Sequence, residues 1–134
     1  LALTKPRCQQ RHVELLWHPA ATLPTLQLSP DRMRQVFLNL PLNAIDAMPD
    51  GGQLIVSSEH VPQRDAVRVS FADTGTGIEP EHISRLFEPF YKTKPEGAGL
   101  GLYITNAIVE WLSGRIEVTC RLGEGGNFIV WLPV

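Results

Sequence analysis

Two glycine clusters constrain what this chain can fold into more than any other feature. Gly75 and Gly77 lie in Asp73-Thr74-Gly75-Thr76-Gly77-Ile78, while Gly97, Gly99 and Gly101 lie in Gly97-Ala98-Gly99-Leu100-Gly101-Leu102. Glycine loses more backbone freedom on folding than any other residue, so a domain that places so many together for packing alone is weakened by them. Close approach of the backbone to something other than its own side chains is the better reason. About twenty residues separate the clusters, and within them Glu88 to Ala98 shows no periodicity and reads as a loop.

The 134 residues suit a single domain, 1–134, with the polar stretch 1–12 read as the end of a linker. Leu1 replaces the usual Met, which suggests a piece of a longer polypeptide. A net charge of -2 gives no basic footprint for nucleic acid or for an anionic membrane surface, so any phosphate site has to be local. Cys8 and Cys120 have neither the number of a disulfide scaffold nor the spacing of a zinc site, and His12, His18, His60 and His82 share no metal spacing. No apolar run reaches the ~20 residues that span a bilayer.

Along the chain, Val13 to Trp17 reads as an edge strand and Leu26 to Leu28 as a very short second one. Ser29-Pro30-Asp31 starts a helix, with a Ser cap, Pro in the first position and an acid where the dipole favours it. Met33, Val36, Phe37, Leu40, Ala44 and Ala47 form its apolar stripe, while Gln35, Asn39, Asn43 and Asp46 line up as a polar one. Pro41 inside this helix removes the bond to the Phe37 carbonyl, and a kink is expected. Strands follow at Leu54 to Glu59 and Val67 to Ala72, the latter delivering Asp73 at its end. Pro80 to Phe87 reads as a short helix with Ile83, Leu86 and Phe87 inward. A last helix begins near Leu100, with Ile104, Ala107, Ile108 and Trp111 apolar and Gly114 as its capping glycine. Arg115 to Leu122 and Asn127 to Leu132 then make a hairpin. The order implies an α+β fold, a two-layer sandwich of a mixed, mostly antiparallel sheet on about three helices.

Several of these groups suit a nucleotide. Gly97 to Gly101 opens directly into a helix, where unblocked N–H groups and the positive end of the dipole point the same way. A loop precedes these glycines, whereas a dinucleotide fingerprint follows a strand. Lys92 and Lys94 stand near enough to meet phosphates, the alternative being two solvated lysines. An ionised Asp73 can accept from the exocyclic amine of adenine and disfavours guanine, which presents an oxygen there. The carbonyl oxygens of Asn39 and Asn43 suit Mg²⁺, whose shell is otherwise phosphate and water, although two exposed amides explain the pair equally well. Asp73-Thr74-Gly75 also matches the aspartic protease signature, but that fold is mostly short strands, and helical patterns occupy about residues 30–48 and 100–113.

Taken together, RQVFLNLPLNAIDAM, DTGTGI, LFEPFYKTK and GAGLGL resemble the N-box, first glycine box, F-box and second glycine box of the ATP-binding catalytic domain of sensor histidine kinases. GEGGNFIVWLP resembles the closing strand pair, and the likeness covers about residues 12–134. The domain is of the ATPase kind found in gyrase, a heat-shock chaperone and mismatch-repair proteins. NAIDAMPDGG and EPFYKTKPEGAGLGL look most like the nitrogen-regulation type.

The resemblance implies that Asn43 is the Mg²⁺ ligand, with Asn39 a supporting polar contact one turn earlier and Asp46 among the nucleotide-binding residues, and that Asp73 reads adenine in a pocket shaped by Gly75, Gly77 and Ile78. It implies that Lys94 and the backbone of Gly97, Gly99, Leu100, Gly101 and Leu102 hold the phosphates under a lid, Glu88 to Ala98, with Tyr91 against ribose or lid. Three positions depart from the family pattern. Pro41 replaces an aliphatic residue, which threatens to displace Asn39 from Asn43; Ala98 replaces a common Thr; and Gly126 stands where many relatives have Thr near the adenine acid.

Hydrolytic relatives carry a Glu one helical turn before the metal-binding Asn, whereas Asn39 is an amide and cannot take a proton from water. The implied activity is therefore γ-phosphoryl transfer from Mg·ATP to a histidine on a separate dimerisation domain, with a response regulator downstream. Asn39, Asn43 and Lys94 are its catalytic residues. No histidine of this chain has the family's acceptor setting, so the chain reads as a cytoplasmic catalytic domain without its acceptor, making no contact with nucleic acid or membrane. The alternative is an ATP-binding regulatory module without transfer.

Overall fold

The chain forms strand β1 (Val13–His18), helix α1 (Pro30–Asp46), β2 (Gly52–Val61), β3 (Ala66–Asp73), α2 (Gly101–Trp111), β4 (Arg115–Arg121) and β5 (Gly125–Pro133). The computed structural model describes residues 13–18, 30–46, 48, 50–75, 85–88, 101–121 and 125–134, with backbone alone at Asp46, Cys120 and Arg121. The expected strand at Leu26 to Leu28, Ser29 as cap and the inward Ile83 lie outside those residues.

The strands make one sheet in the order β1-β2-β3-β5-β4, with β1 parallel to β2 and the other pairs antiparallel. Parallel neighbours need a crossover connection, and α1 lies within it. Side chains alternate along a strand, so each presents one face to the helices. On β3 that face carries Val67, Val69 and Phe71, and on β5 Phe128, Val130 and Leu132, all buried. Phe71 and Phe128 are cross-strand partners, and the ring of Phe37 on α1 packs on Phe71 at 6.0 Å between centroids. Burying a phenylalanine stabilises by about 1.5–3 kcal/mol, so this cluster anchors the helical layer to the middle of the sheet. The two-layer α+β sandwich is as expected.

α1 runs without interruption through Pro41, which is buried. Its core stripe contains the expected Met33, Val36, Leu40 and Ala44 but also Ile45, which is fully buried. Met48 is buried as well, because the chain turns back on itself after the helix: the Met48 N–H donates to the Ile45 carbonyl at 3.0 Å, and the Gly51 N–H to the Met48 carbonyl at 3.1 Å. β2 and β3 are longer than expected because their ladder continues from Leu54↔Asp73 to Val61↔Ala66, where a 3-10 turn, Pro62–Arg64, joins them. Of the expected helix Pro80 to Phe87, the described part is a turn in which the Glu88 N–H meets the Arg85 carbonyl. Leu86 is buried and Phe87 packs against the core, as expected.

α2 differs from expectation in the face it buries. Thr105, Ile108 and Val109 are its buried residues, whereas Ala107 is exposed and Trp111 is 64% exposed beneath the Arg32 guanidinium, 4.3 Å from its ring centroid. An exposed cation–π pair contributes about 0.5–1 kcal/mol. Trp111→Ala should therefore lower stability by no more than about 1 kcal/mol in urea denaturation, where a core tryptophan would cost several times that.

The end of α2 is also shifted from expectation by one residue. Ser113, not Gly114, takes the left-handed conformation, with φ of 63°. Its N–H donates to the Glu110 carbonyl at 2.9 Å and the Gly114 N–H to the Val109 carbonyl at 2.8 Å, which is a Schellman cap. Gly114 is needed for closeness instead, since a Cβ there would lie 2.3 Å from the Trp131 carbonyl oxygen on β5.

Candidate functional site

β3 places Val67, Val69 and Phe71 on the helix-facing side, and the same alternation puts Asp73 there at the strand's end. Asp73 is half-buried and is flanked by Leu54 on β2 and Gly126 on β5. Its Oδ1 accepts the Gly75 N–H at 2.8 Å, so one oxygen is fixed by the backbone of the glycine box. A carboxylate has about four acceptor positions, and this bond orients the group without exhausting it.

Thr74 locks the end of β3 to its surroundings. Its Oγ1 accepts the Gln53 N–H at 2.9 Å, its own N–H donates to the Gln53 carbonyl at 3.2 Å, and its hydroxyl lies 3.8 Å from the Met48 sulfur. The turn that leaves α1 is thereby tied to the residue beside Asp73.

Asn39 and Asn43 lie one helical turn apart on α1, and both are half-buried. The displacement expected from Pro41 does not break the helix between them. Asn39 Nδ2 donates to Thr105 Oγ1 at 3.2 Å, and Thr105 Oγ1 donates to the Gly101 carbonyl at 2.7 Å. Gly101 begins α2 and is exposed, and a Cβ added there meets nothing within 4 Å. Packing therefore does not demand glycine at this place. Leu102, by contrast, turns its side chain against the core. The first N–H groups of any helix lack intrahelical partners, so this end of α2 offers donors to an anion.

Of the expected site residues, the structure brings together Asp73 and Gly75 at the end of β3, Asn39 and Asn43 on α1, and Gly101 and Leu102 at the start of α2. Gly77, Ile78, Tyr91, Lys94, Gly97, Gly99 and Leu100 lie outside the described residues, and Asp46 is described only as the last residue of α1. Thr105, Thr74 and Met48 are additions. A single threonine inside the apolar run of α2 was the signal for the first; nothing in the spacing of the other two revealed their contact.

Asn39 and Asn43 offer neutral amide oxygens, which suit a hard cation that keeps most of its shell as water and phosphate, so the donor set fits Mg²⁺. Among the described residues, no group of three His, Cys, Asp or Glu side chains could hold a metal by itself. No described helix is long and apolar enough to cross a membrane.

Similar proteins bear on these features. The family model for histidine kinase-, DNA gyrase B- and HSP90-like ATPases matches residues 28–134. Sensor histidine kinase ZraS of Escherichia coli strain K12 is 39% identical over 134 residues, which is 100% of this chain and 28% of that protein. Sporulation kinase E of Bacillus subtilis strain 168 is 41% identical over 112 residues, 84% of this chain and 15% of that protein. The chain thus spans less than a third of these relatives. Among solved structures, full-length ShkA in complex with AMPPNP superposes with a TM-score of 0.89 at 33% identity, covering 98% of this chain and 28% of that one. The catalytic domain of histidine kinase ThkA superposes with a TM-score of 0.86 at 30% identity, covering 98% of this chain and 86% of that one. The protease reading fails on the fold itself, which holds a 17-residue and an 11-residue helix. With a helix-backed mixed sheet, an acid at the end of its middle strand and a family match over most of its length, the chain belongs to the histidine kinase-, DNA gyrase B- and HSP90-like ATPases, as an ATP-binding catalytic domain of sensor histidine kinases.

Proposed function

We propose that this domain binds Mg·ATP and transfers its γ-phosphoryl group to a histidine on a separate dimerisation domain, from which a response regulator takes it. Two observations support the proposal: Asp73 ends the middle strand of the sheet with one oxygen fixed by the Gly75 N–H, and Asn39 on α1 is linked through the Thr105 hydroxyl to Gly101 at the start of α2. Asp73 would accept from the adenine amine, and the open start of α2 at Gly101 would donate backbone N–H groups to phosphate. The AMPPNP complex of ShkA, a protein 33% identical to this chain over the 28% of its length that matches, supports a nucleotide here.

Asn43 and Asn39 would hold Mg²⁺, which when bound neutralises charge on the β- and γ-phosphates. Positioning is the rest of the chain's contribution. Asn39 is an amide and takes no proton from water, so hydrolysis is slow and ATP awaits another nucleophile. An imidazole nitrogen then attacks the γ-phosphorus, the bond to the bridging oxygen breaks, and ADP leaves. Lys94 and Tyr91 are assigned to phosphate and ribose, with Gly77, Ile78, Gly97, Gly99 and Leu100 shaping the pocket and Asp46 among the nucleotide-binding residues, on the family pattern alone.

The test is phosphate transfer from labelled ATP to a supplied phosphoacceptor domain of the parent protein. Asn43→Asp puts a negative charge where a neutral oxygen should face phosphate, and labelling should fall by about a hundredfold or more. Labelling at the wild-type rate removes Asn43 from the site. Within the sensor kinases, a nitrogen-regulation type is proposed on NAIDAMPDGG and EPFYKTKPEGAGLGL, though the relatives named above carry other names. Preferential transfer to a regulator of that type would support it. The cytoplasm is the proposed location because ATP is there.

A further inference from the structure

Thr105 is completely buried on a helix whose other buried residues are aliphatic. Its hydroxyl has one proton and two partners: the Gly101 carbonyl oxygen at 2.7 Å and Asn39 Nδ2 at 3.2 Å. A carbonyl oxygen cannot donate, so the hydroxyl proton goes to Gly101 and a lone pair faces Asn39. Only the NH₂ end of an amide can meet a lone pair. The Asn39 carbonyl oxygen is therefore turned to the opposite side of the amide, away from Thr105. A hydrocarbon at position 105 would impose no such choice, and the two ends of the amide could exchange places.

We infer that Thr105 is a positioning residue for nucleotide binding: through its hydroxyl it fixes the Asn39 amide with the carbonyl oxygen as the outward acceptor. It also ties that orientation to the first residue of α2. The inference rests on the Mg·ATP reading above. Thr105 itself does not touch the nucleotide, because it is buried and both its polar contacts are internal. A movement of the first turn of α2 reaches Asn39 through only two hydrogen bonds. The helix that offers N–H groups to phosphate and the helix that offers oxygens to the cation are thus set together.

A double-mutant cycle read by calorimetry tests this, using Thr105→Val, Asn39→Ala and the pair, with ATP measured with and without Mg²⁺. Thr105→Val should weaken Mg·ATP binding about fivefold, the worth of one net hydrogen bond, and change metal-free ATP binding much less. In the Asn39→Ala background the same substitution should add nothing, since the residue it acts through is gone. Thr105→Ser, which keeps the hydroxyl, should bind as the wild type does. No loss in Thr105→Val, an equal loss in both backgrounds, or failure of Ser to preserve affinity each overturns the inference. One measurement needs no substitution: in the nucleotide-free wild-type domain, NMR should find an Asn39 side-chain NH₂ proton slowed in exchange, and a freely exchanging pair overturns the proposed orientation. Should the wild type not bind Mg·ATP at all, the functional reading fails, and this NMR result still decides the geometry separately.

Discussion

Asp73→Asn should weaken ATP binding by more than a hundredfold while leaving the domain folded. In the proposed role the carboxylate accepts the Gly75 N–H at 2.8 Å on Oδ1 and would accept the adenine amine at another of its acceptor positions. An asparagine has a single acceptor oxygen. If that oxygen keeps the Gly75 bond, the NH₂ meets the adenine amine donor to donor; if the amide turns over, the clash moves to Gly75. Losing a charge-assisted bond and leaving a donor unpaired costs about 3 kcal/mol or more, and each 1.4 kcal/mol is tenfold in affinity. Displacement of a fluorescent nucleotide measures the loss, and thermal unfolding checks the fold. Near-wild-type affinity in a folded Asp73→Asn domain would take the base-reading role away from this residue.

The largest effect on stability should come from Gly125→Ala. Gly125 has φ of 92°, and a Cβ added there would sit 2.1 Å from the carbonyl oxygen of Asp73. The left-handed conformation costs a residue with a side chain about 1–2 kcal/mol. Removing the overlap then requires β3 and β5 to separate locally, since the obstacle is backbone and cannot swing aside. A combined loss of about 3 kcal/mol or more is expected in urea denaturation. Because the displaced atom belongs to Asp73, ATP affinity should fall as well. A domain with unchanged stability and unchanged ATP affinity would contradict the packing at this crossing.

The periodicity of α1, the strand that ends in Asp73 and the closing hairpin were all legible in the sequence, because each is a local pattern of alternating or helical spacing. Legibility failed where distant segments meet. Trp111 and Ala107 match an apolar helical stripe, but the stripe that counts runs through Thr105, Ile108 and Val109, because α2 is rotated to pack on α1 and β4. Ile45 widens the buried stripe of α1 beyond the expected positions, and Met48 is buried because the chain turns inward after the helix. Gly114 looks like a helix-capping glycine, yet the space it spares belongs to Trp131, seventeen residues later. At the site, residue types were readable as chemistry: an acid, two amides and glycines. The Asn39 to Thr105 bond was not, as it joins residues 66 apart in the chain.

The strand that carries Asp73 is third of five, with neighbours hydrogen-bonded along both its edges. Strands so enclosed are the last parts of a domain to open. The end proposed to read the base is consequently bolted to the slowest-opening portion of the molecule, while the groups proposed to meet phosphate and cation belong to helices held against each other partly by one hydroxyl. Entry and departure of a nucleotide should therefore leave the exchange rates of β3 amides almost untouched and register at the first turn of α2, so that the domain works as a fixed jaw and a movable one.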